Sequence, residues 1–268
     1  MGEAWQKANN DHWLCCELGG RFLVSVFVST IKRILKRADG QCGFYTDRMP
    51  KAAASDADRE TVSVPICGWR LENAARRSGA LRIAGLDEVG RGPMFGPVVA
   101  AAVILPEGWR LRGLTDSKQL SEEQRNKFAV TIRLKAVAWA IAAVDAETID
   151  RINIRRASLL AMRMAVEQLA IAPDYLLIDG CDTIEWACPQ QAVVQGDARS
   201  LSIAAASVLA KVHRDRLLVE LDAVYPGYGL ARHKGYCSQE HLAALARLGP
   251  TPLHRKNWSP VAQRMLFE

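Results

Sequence analysis

Hydrophobic and polar positions are organised differently on the two sides of Trp69. Upstream, apolar residues come in scattered groups without a sustained period, and "KAAASDADRE" (Lys51 to Glu60) has the composition of a linker. Downstream the pattern is regular. "WRLENAARRSG" reads as a short helix stopped by Gly79. "LRIAGLD", from Leu81, and "GPVVAAAVIL", from Gly96, are apolar runs of strand length. "SEEQ" at Ser121 to Gln124 is a capping box that opens an amphipathic helix toward Lys135. "AVAWAIAAVD" (Ala136 to Asp145) predicts a third strand. "AETIDRIN" and "IRRASLLAMRMAVEQLA" predict helices, the second carrying Leu159, Met162, Val166 and Leu169 on one face. "YLLIDG" and "QAVVQGD" are two more short buried strands. "SLSIAAASVLAKVHRDRLLVELDAVY" is a long helix and "SQEHLAALARLG" a shorter one. Strands interleaved with helices predict an α/β fold: a mixed five-stranded sheet flanked by helices. The expected division is an N-terminal extension over 1–68, the α/β domain over 69–215, and a small C-terminal helical lobe with its tail over 216–268. No internal repeat is present.

The chain of 268 residues is long enough for one large domain with a real core. Its net charge of +6 is a mild basic bias shared by the extension and the remainder, compatible with nucleic acid but not diagnostic. Seven cysteines, an odd number without CxxC spacing, argue against a disulfide framework and against structural zinc, and fit reduced cytosolic thiols. "RFLVSVFVSTIKRIL" (Arg21 to Leu35) is too short to span a bilayer, is interrupted by Ser25, Ser29 and Thr30, and lacks a small-residue cleavage site. These features predict a soluble cytoplasmic protein with no membrane association. The extension over 1–68 is expected to be disordered or, if translation starts at Met49, partly an overlong reading frame; the alternative is a short accessory domain. On the first view, deleting residues 1–48 leaves activity and melting temperature unchanged.

Three of the predicted strands end in acids: Asp87 and Glu88 after the first, Asp179 after "LLI", and Asp197 after "VVQG". Functional groups of open α/β sheets gather at strand ends. Four carboxylates brought together would repel unless a cation stood among them. Oxygen donors without nearby Cys or His favour Mg²⁺ or Mn²⁺ over zinc, and two such metals are a general device for phosphodiester hydrolysis. Taken singly, each acid is more often a solvated strand end or a helix cap, and Asp197 in "GDARS" could cap the following helix. The set of four is harder to read that way.

The stretches "AGLDEVGRGPMFGPVV", "LTDSKQLS", "NIRRASLLAM", "YLLIDG", "VVQGDARSLSIAAASVLAKVHRDR", "YPGYGLARHKGY" and "TPLHRKNWSPV" resemble, in order, the type 2 ribonucleases H and within them the ribonuclease HII family. The resemblance runs from about Leu81 to Val261. It implies a ribonuclease H-like fold and endonucleolytic cleavage of RNA paired with or joined to DNA, leaving 5′-phosphate and 3′-hydroxyl ends. Carried over by motif, Asp87, Glu88, Asp179 and Asp197 would be the catalytic, metal-binding acids, with Mn²⁺ or Mg²⁺ in a two-metal site.

Gly90, Arg91 and Gly92 would then lie against the sugar-phosphate backbone, where main-chain groups can read a 2′-hydroxyl; a lone "GRG" would be only a tight turn. Lys118 and Lys211 are expected at phosphates. Ser207, Lys211 and Arg214 fall one turn apart on one helix face and complete the expected substrate-binding set, with Asp215 pairing inside that helix. Tyr236 of "HKGY" matches the residue the family stacks on the sugar beside the scissile bond. The family often has a second Lys where Gln119 stands. His213, His233, His241 and His254 carry no assigned chemistry, and Trp109, Trp139, Trp186 and Trp258 are expected to pack.

Three other readings compete. A ribonuclease HIII-like hybrid nuclease is disfavoured by "GRG" together with Tyr236, a binding protein that has lost catalysis by the four intact acids, and a phosphate-transferring ATPase by the missing GKS/T loop. Expected partners are RNA/DNA hybrids and ribonucleotide-containing duplex DNA, acted on by a monomer. In the terminal "QRMLFE", Gln263, Leu266 and Phe267 match a Q-x-x-L-F pattern similar to peptides that bind the bacterial replication sliding clamp; the alternative is a last helical turn packed on the domain.

Overall fold

The computed structural model describes residues 67–109 and 111–265. The extension expected over 1–68 lies almost wholly outside them. Five strands form one mixed sheet in the order β3-β2-β1-β4-β5: β1 (Ile83–Val89), β2 (Val98–Ile104), β3 (Ala138–Val144), β4 (Tyr175–Asp179) and β5 (Gln190–Val193). The first three pair antiparallel, β1 and β2 through a short loop and β2 and β3 across the segment that carries helix Glu122–Lys135, while β4 and β5 run parallel to β1, which is therefore central. The helices are α1 (Arg70–Arg77), α2 (Glu122–Lys135), α3 (Ala146–Ile152), α4 (Ile154–Glu167), α5 (Leu201–Val224), α6 (Leu230–His233), α7 (Gln239–Leu248) and α8 (Ser259–Met265). The capping box is formed in full, Ser121 accepting from the Gln124 amide and Gln124 reaching back to the Ser121 amide. Asn153, in a left-handed conformation, separates α3 from α4 and caps the latter.

The near-continuous apolar runs have a simple cause: both faces of the sheet are covered. Alternate residues of β2 go to opposite sides. Ala100 and Ala102 join Ala84, Leu86, Ala157, Ala161, Met162 and Val166 under α4. Val99, Ala101 and Val103 join Ile132, Leu201, Ala205, Val208 and Leu209 under α2 and α5. Small side chains let α5 come very close to β1. A Cβ built on Gly85 would lie 2.1 Å from the carbonyl carbon of Ser202.

Helix α1 is tied to this core by a carboxylate. Glu72 is fully buried and its Oε1 accepts from Ser200 Oγ (2.7 Å) and the Ser202 amide (2.9 Å), at the N-terminus of α5 where negative charge is favoured. At the other end, α5 runs unbroken through the expected boundary at 215/216. The C-terminal lobe thus grows from the same helix, with Phe95, Leu218, Leu221, Tyr225, Tyr228, Leu230 and Ala244 as its core. The one-turn helix α6 and the terminal α8 were not legible in the periodicity, both being too short to show one.

In this lobe His241 donates through Nδ1 to the Tyr236 carbonyl (2.9 Å) and stands 3.2 Å, Nε2 to Nε2, from His254. The Thr251 amide donates to His254 Nδ1. These partners assign one tautomer to each ring, with His254 Nε2–H donating to His241 Nε2. Burial pushes His241 down to about 4 and His254 to about 3, so both stay neutral near pH 7 and act as a structural relay.

Candidate active site

Strand β1 does not stop at the acids, as the sequence pattern suggested, but continues to Val89, so Asp87 and Glu88 are strand residues. Leu86 is level with Ile178, which sets Asp87 beside Asp179 at the end of the neighbouring parallel strand. Asp197 arrives differently again. Strand β5 ends at Val193, Gln195 takes a left-handed conformation, and a 3₁₀ turn (Gly196–Ala198) carries Asp197 back toward the sheet. Asp179 Oδ1 accepts from the Gly196 amide (2.7 Å) and pins this turn. Asp197 does not cap α5: Ser200 does, accepting from the Ile203 amide.

The acids form an electrostatic cluster with little access to water. Asp87 and Asp197 are buried, and the Glu88 side chain is 8% exposed. Burial, then the charges of Glu88, Asp179 and Asp197, raise Asp87 well above the usual carboxylate range, with a hydrogen bond from Ser207 opposing them. Burial also raises Glu88, against the pull of Arg91, whose Nη1 is 3.1 Å from Glu88 Oε1. Asp197 is pushed up to about 6 by burial and by Asp116 and Asp179, with Lys118 opposing.

Asp116 is a fifth carboxylate that sequence reasoning missed. It stands next but one to Lys118 in "TDSK", shares a side-chain hydrogen bond with Asp197, and accepts the Lys118 amide (2.9 Å). Its signal was there, an acid inside a motif already singled out for its lysine.

Among the described residues no three His, Cys, Asp or Glu side chains already stand in a ready metal-ligand geometry. The acids are gathered without being closed around one point. The chemistry of the set still suits a hard divalent cation. Its donors are all oxygen, Asp87 and Asp197 are buried and Glu88 and Asp179 partly so, and their mutual repulsion is what such a charge would relieve.

The remaining expected site residues divide. Lys118 Nζ lies 3.8 Å from Asp197 Oδ2 on an 81% exposed side chain, at the mouth of the cluster. Ser207 bonds Ser117 Oγ (2.9 Å) and Asp87, so it orients an acid. Lys211 pairs with Asp215 one turn along (2.8 Å), as expected of Asp215. Arg214 corrects its assignment as a substrate-binding residue. It is fully buried, and its three nitrogens donate to the carbonyls of Pro97, Lys234 and Phe95. Sharing a helical face in projection did not make it share a surface, because the C-terminal lobe covers that end of α5.

Gly90 has φ 96°, and a Cβ there would meet Arg214 Nε at 2.3 Å, so both conformation and space require glycine. Gly92 is 3.6 Å, from its Cβ position, to Cε1 of Tyr236, a ring left 46% exposed. Loop, tyrosine and acids therefore occupy one side of the molecule. Trp109, Trp139 and Trp186 pack against the core as expected.

The fold is similar to that of ribonuclease H2 from Pyrococcus horikoshii, with a TM-score of 0.61 and 25% identity, covering 70% of this chain and 98% of that one. It is also similar to the ribonuclease HII of Archaeoglobus fulgidus, whose structure is a complex with PCNA (TM-score 0.57, 25% identity, 67% of this chain and 96% of that one). Fold and acidic site together define an enzyme of the ribonuclease H class. A curated relative, ribonuclease HII of Solibacter usitatus (strain Ellin6076), is 54% identical over 201 residues, 75% of this chain and 88% of that protein. The ribonuclease HII family model matches residues 84–265. The chain belongs to the ribonuclease HII family.

Proposed function

We propose that this enzyme cuts the RNA strand of RNA/DNA hybrids and nicks on the 5′ side of ribonucleotides embedded in duplex DNA, leaving 5′-phosphate and 3′-hydroxyl ends. The observation that carries the reading is the meeting of Asp87, Glu88, Asp179 and Asp197 beside the Gly90–Gly92 loop and Tyr236. These four acids would hold Mn²⁺ or Mg²⁺, which when bound supplies charge stabilisation at the phosphate and an activated water. Lys118 places a mobile positive charge at the mouth of the site for the phosphate. The loop brings main chain against the sugar, and Tyr236 offers an exposed ring on which the neighbouring sugar rests. Of the expected substrate set, Arg91 and Lys211 remain as backbone contacts, with Ser207 acting through Asp87. The proximity of loop and Tyr236 favours this reading over hybrid-only cleavage. Among the described residues no helix is long and apolar enough to cross a membrane, and we take the enzyme to act as a cytoplasmic monomer.

The direct test incubates the protein with a duplex carrying one ribonucleotide in Mg²⁺, Mn²⁺ or EDTA. Incision 5′ of the ribonucleotide with either metal and none with EDTA is expected. Equal cutting of an all-DNA duplex would remove the 2′-hydroxyl reading. Tyr236→Ala is expected to lower junction cleavage by roughly 10- to 100-fold, the size of one lost stacking contact; rates within twofold of the parent would show that the ring is not used.

A sliding clamp is the proposed protein partner, through Gln263, Leu266 and Phe267. The PCNA complex of the Archaeoglobus relative and the exposed Gln263 support it; Leu266 and Phe267 lie outside the described residues. Titrating a Val261–Glu268 peptide against purified bacterial clamp is expected to give binding at or below about 100 μM. No signal there would leave α8 as a packing turn.

A further inference from the structure

The glycine loop is held from inside by one arginine. Arg255 is fully buried beneath it. Its Nη2 donates to the Gly90 carbonyl (2.6 Å), its Nη1 to the Arg91 carbonyl (2.9 Å) and its Nε to the Gly96 carbonyl (3.0 Å). Trp258 Nε1 donates to the next carbonyl in line, that of Gly92 (3.3 Å), and the guanidinium lies over the Trp258 ring at 4.9 Å. Three successive carbonyls of the loop are therefore turned toward the protein and engaged.

The peptide unit is planar and trans, so its N–H points opposite to its C=O. Turning the Gly90 carbonyl inward turns the Arg91 amide outward. Turning the Arg91 carbonyl inward does the same for the Gly92 amide. The Gly92 carbonyl brings no third donor, because residue 93 is proline and has no N–H. The outer face of the loop is thus a pair of donors.

We propose that Arg255, seconded by Trp258, is a positioning residue for ribonucleotide discrimination. By locking these carbonyls inward it leaves the Arg91 and Gly92 amides to meet the substrate, so that the 2′-oxygen is read as a hydrogen-bond acceptor. The proposal rests on the ribonucleotide-directed reading above. Arg255 itself touches no substrate. A lysine at this position keeps the charge but cannot fork to three carbonyls.

The test uses Arg255→Lys and, as a milder variant, Trp258→Phe, which keeps a ring and removes only the indole N–H. Three quantities are measured: kcat and KM on a duplex with one ribonucleotide, affinity for the same duplex made entirely of DNA, and melting temperature. Arg255→Lys is expected to lower kcat/KM on the ribonucleotide substrate at least about tenfold, and Trp258→Phe about threefold, with all-DNA affinity unchanged within about twofold. A purely structural role would instead reduce melting temperature and both nucleic-acid readouts together, and that result would overturn the proposal. So would native ribonucleotide rates in both variants. If Arg255→Lys does not fold, Trp258→Phe decides alone. A parent enzyme that fails to cut the single-ribonucleotide duplex would overturn the substrate reading itself, and the inference with it.

Discussion

Asp87→Asn is expected to lower cleavage of a single-ribonucleotide duplex by about a thousandfold or more while leaving duplex binding in place. The amide keeps the shape of the side chain and its bond to the Glu88 main-chain amide (2.7 Å from Asp87 Oδ1). It removes the charge with which a metal would be held, and metal stabilisation of phosphoryl transfer is worth several kcal/mol. A second readout separates the metal role from a folding defect. Burial and three neighbouring acids raise the Asp87 pKa above its unfolded value. The native state therefore binds the proton more tightly than the unfolded chain, and ionisation costs stability at all pH values above the ordinary carboxylate range. At pH 8 without metal, Asp87→Asn should therefore melt at a higher temperature than the parent. Mn²⁺ should then stabilise the parent and not the variant. Near-parental cleavage by Asp87→Asn would sink the assignment of this acid.

Gly85→Ala is expected to be the most damaging added methyl group among the described glycines. The added Cβ would sit 2.1 Å from Ser202 C, 2.3 Å from Ile203 N and 2.4 Å from Ser202 O. These are backbone atoms of the first turn of α5, so no rotamer change can relieve the overlap. The helix must lift off β1, opening contacts of Ile203, Ala204 and Ala205, all fully buried. A cost on the order of 3–5 kcal/mol follows, at the upper end for overpacking, and a melting temperature lower by about 10 °C. Activity should fall as well, because α5 carries Ser207 and follows directly on the 3₁₀ turn that holds Asp197, so lifting the helix displaces both from Asp87. Urea unfolding with circular dichroism measures the stability; a midpoint within experimental error of the parent would show that β1 and α5 are not packed this closely.

Much of this protein is written in local sequence. The capping box at Ser121–Gln124, the strand runs, and the helix face of Met162 and Val166 follow from periods and hydrogen-bonding chemistry that operate within a few residues. Asp87, Glu88, Asp179 and Asp197 were legible only as a set, four acids closing three apolar runs inside motifs that resemble one family; each alone reads as a strand end or a cap. What local pattern could not contain is which strands are neighbours. Asp87 and Asp179 are far apart in the chain and meet only because β4 joins β1 in parallel register. Asp197 reaches them through a left-handed residue and a 3₁₀ turn, not a strand end. Asp116 joins through a loop with no period at all. Arg214 and Arg255 look like surface cations in the sequence, since charge normally predicts exposure. The tertiary structure buries both, because six inward-facing carbonyls of the Gly90–Pro97 loop region and the C-terminal lobe offer them hydrogen bonds. Gly85 reads as an ordinary small strand residue until α5 is laid across it. Local pattern carries the longer elements and the chemistry placed on them, but not the short helices α6 and α8. Only long-range packing, which brings together groups that no local period relates, decided where that chemistry converges.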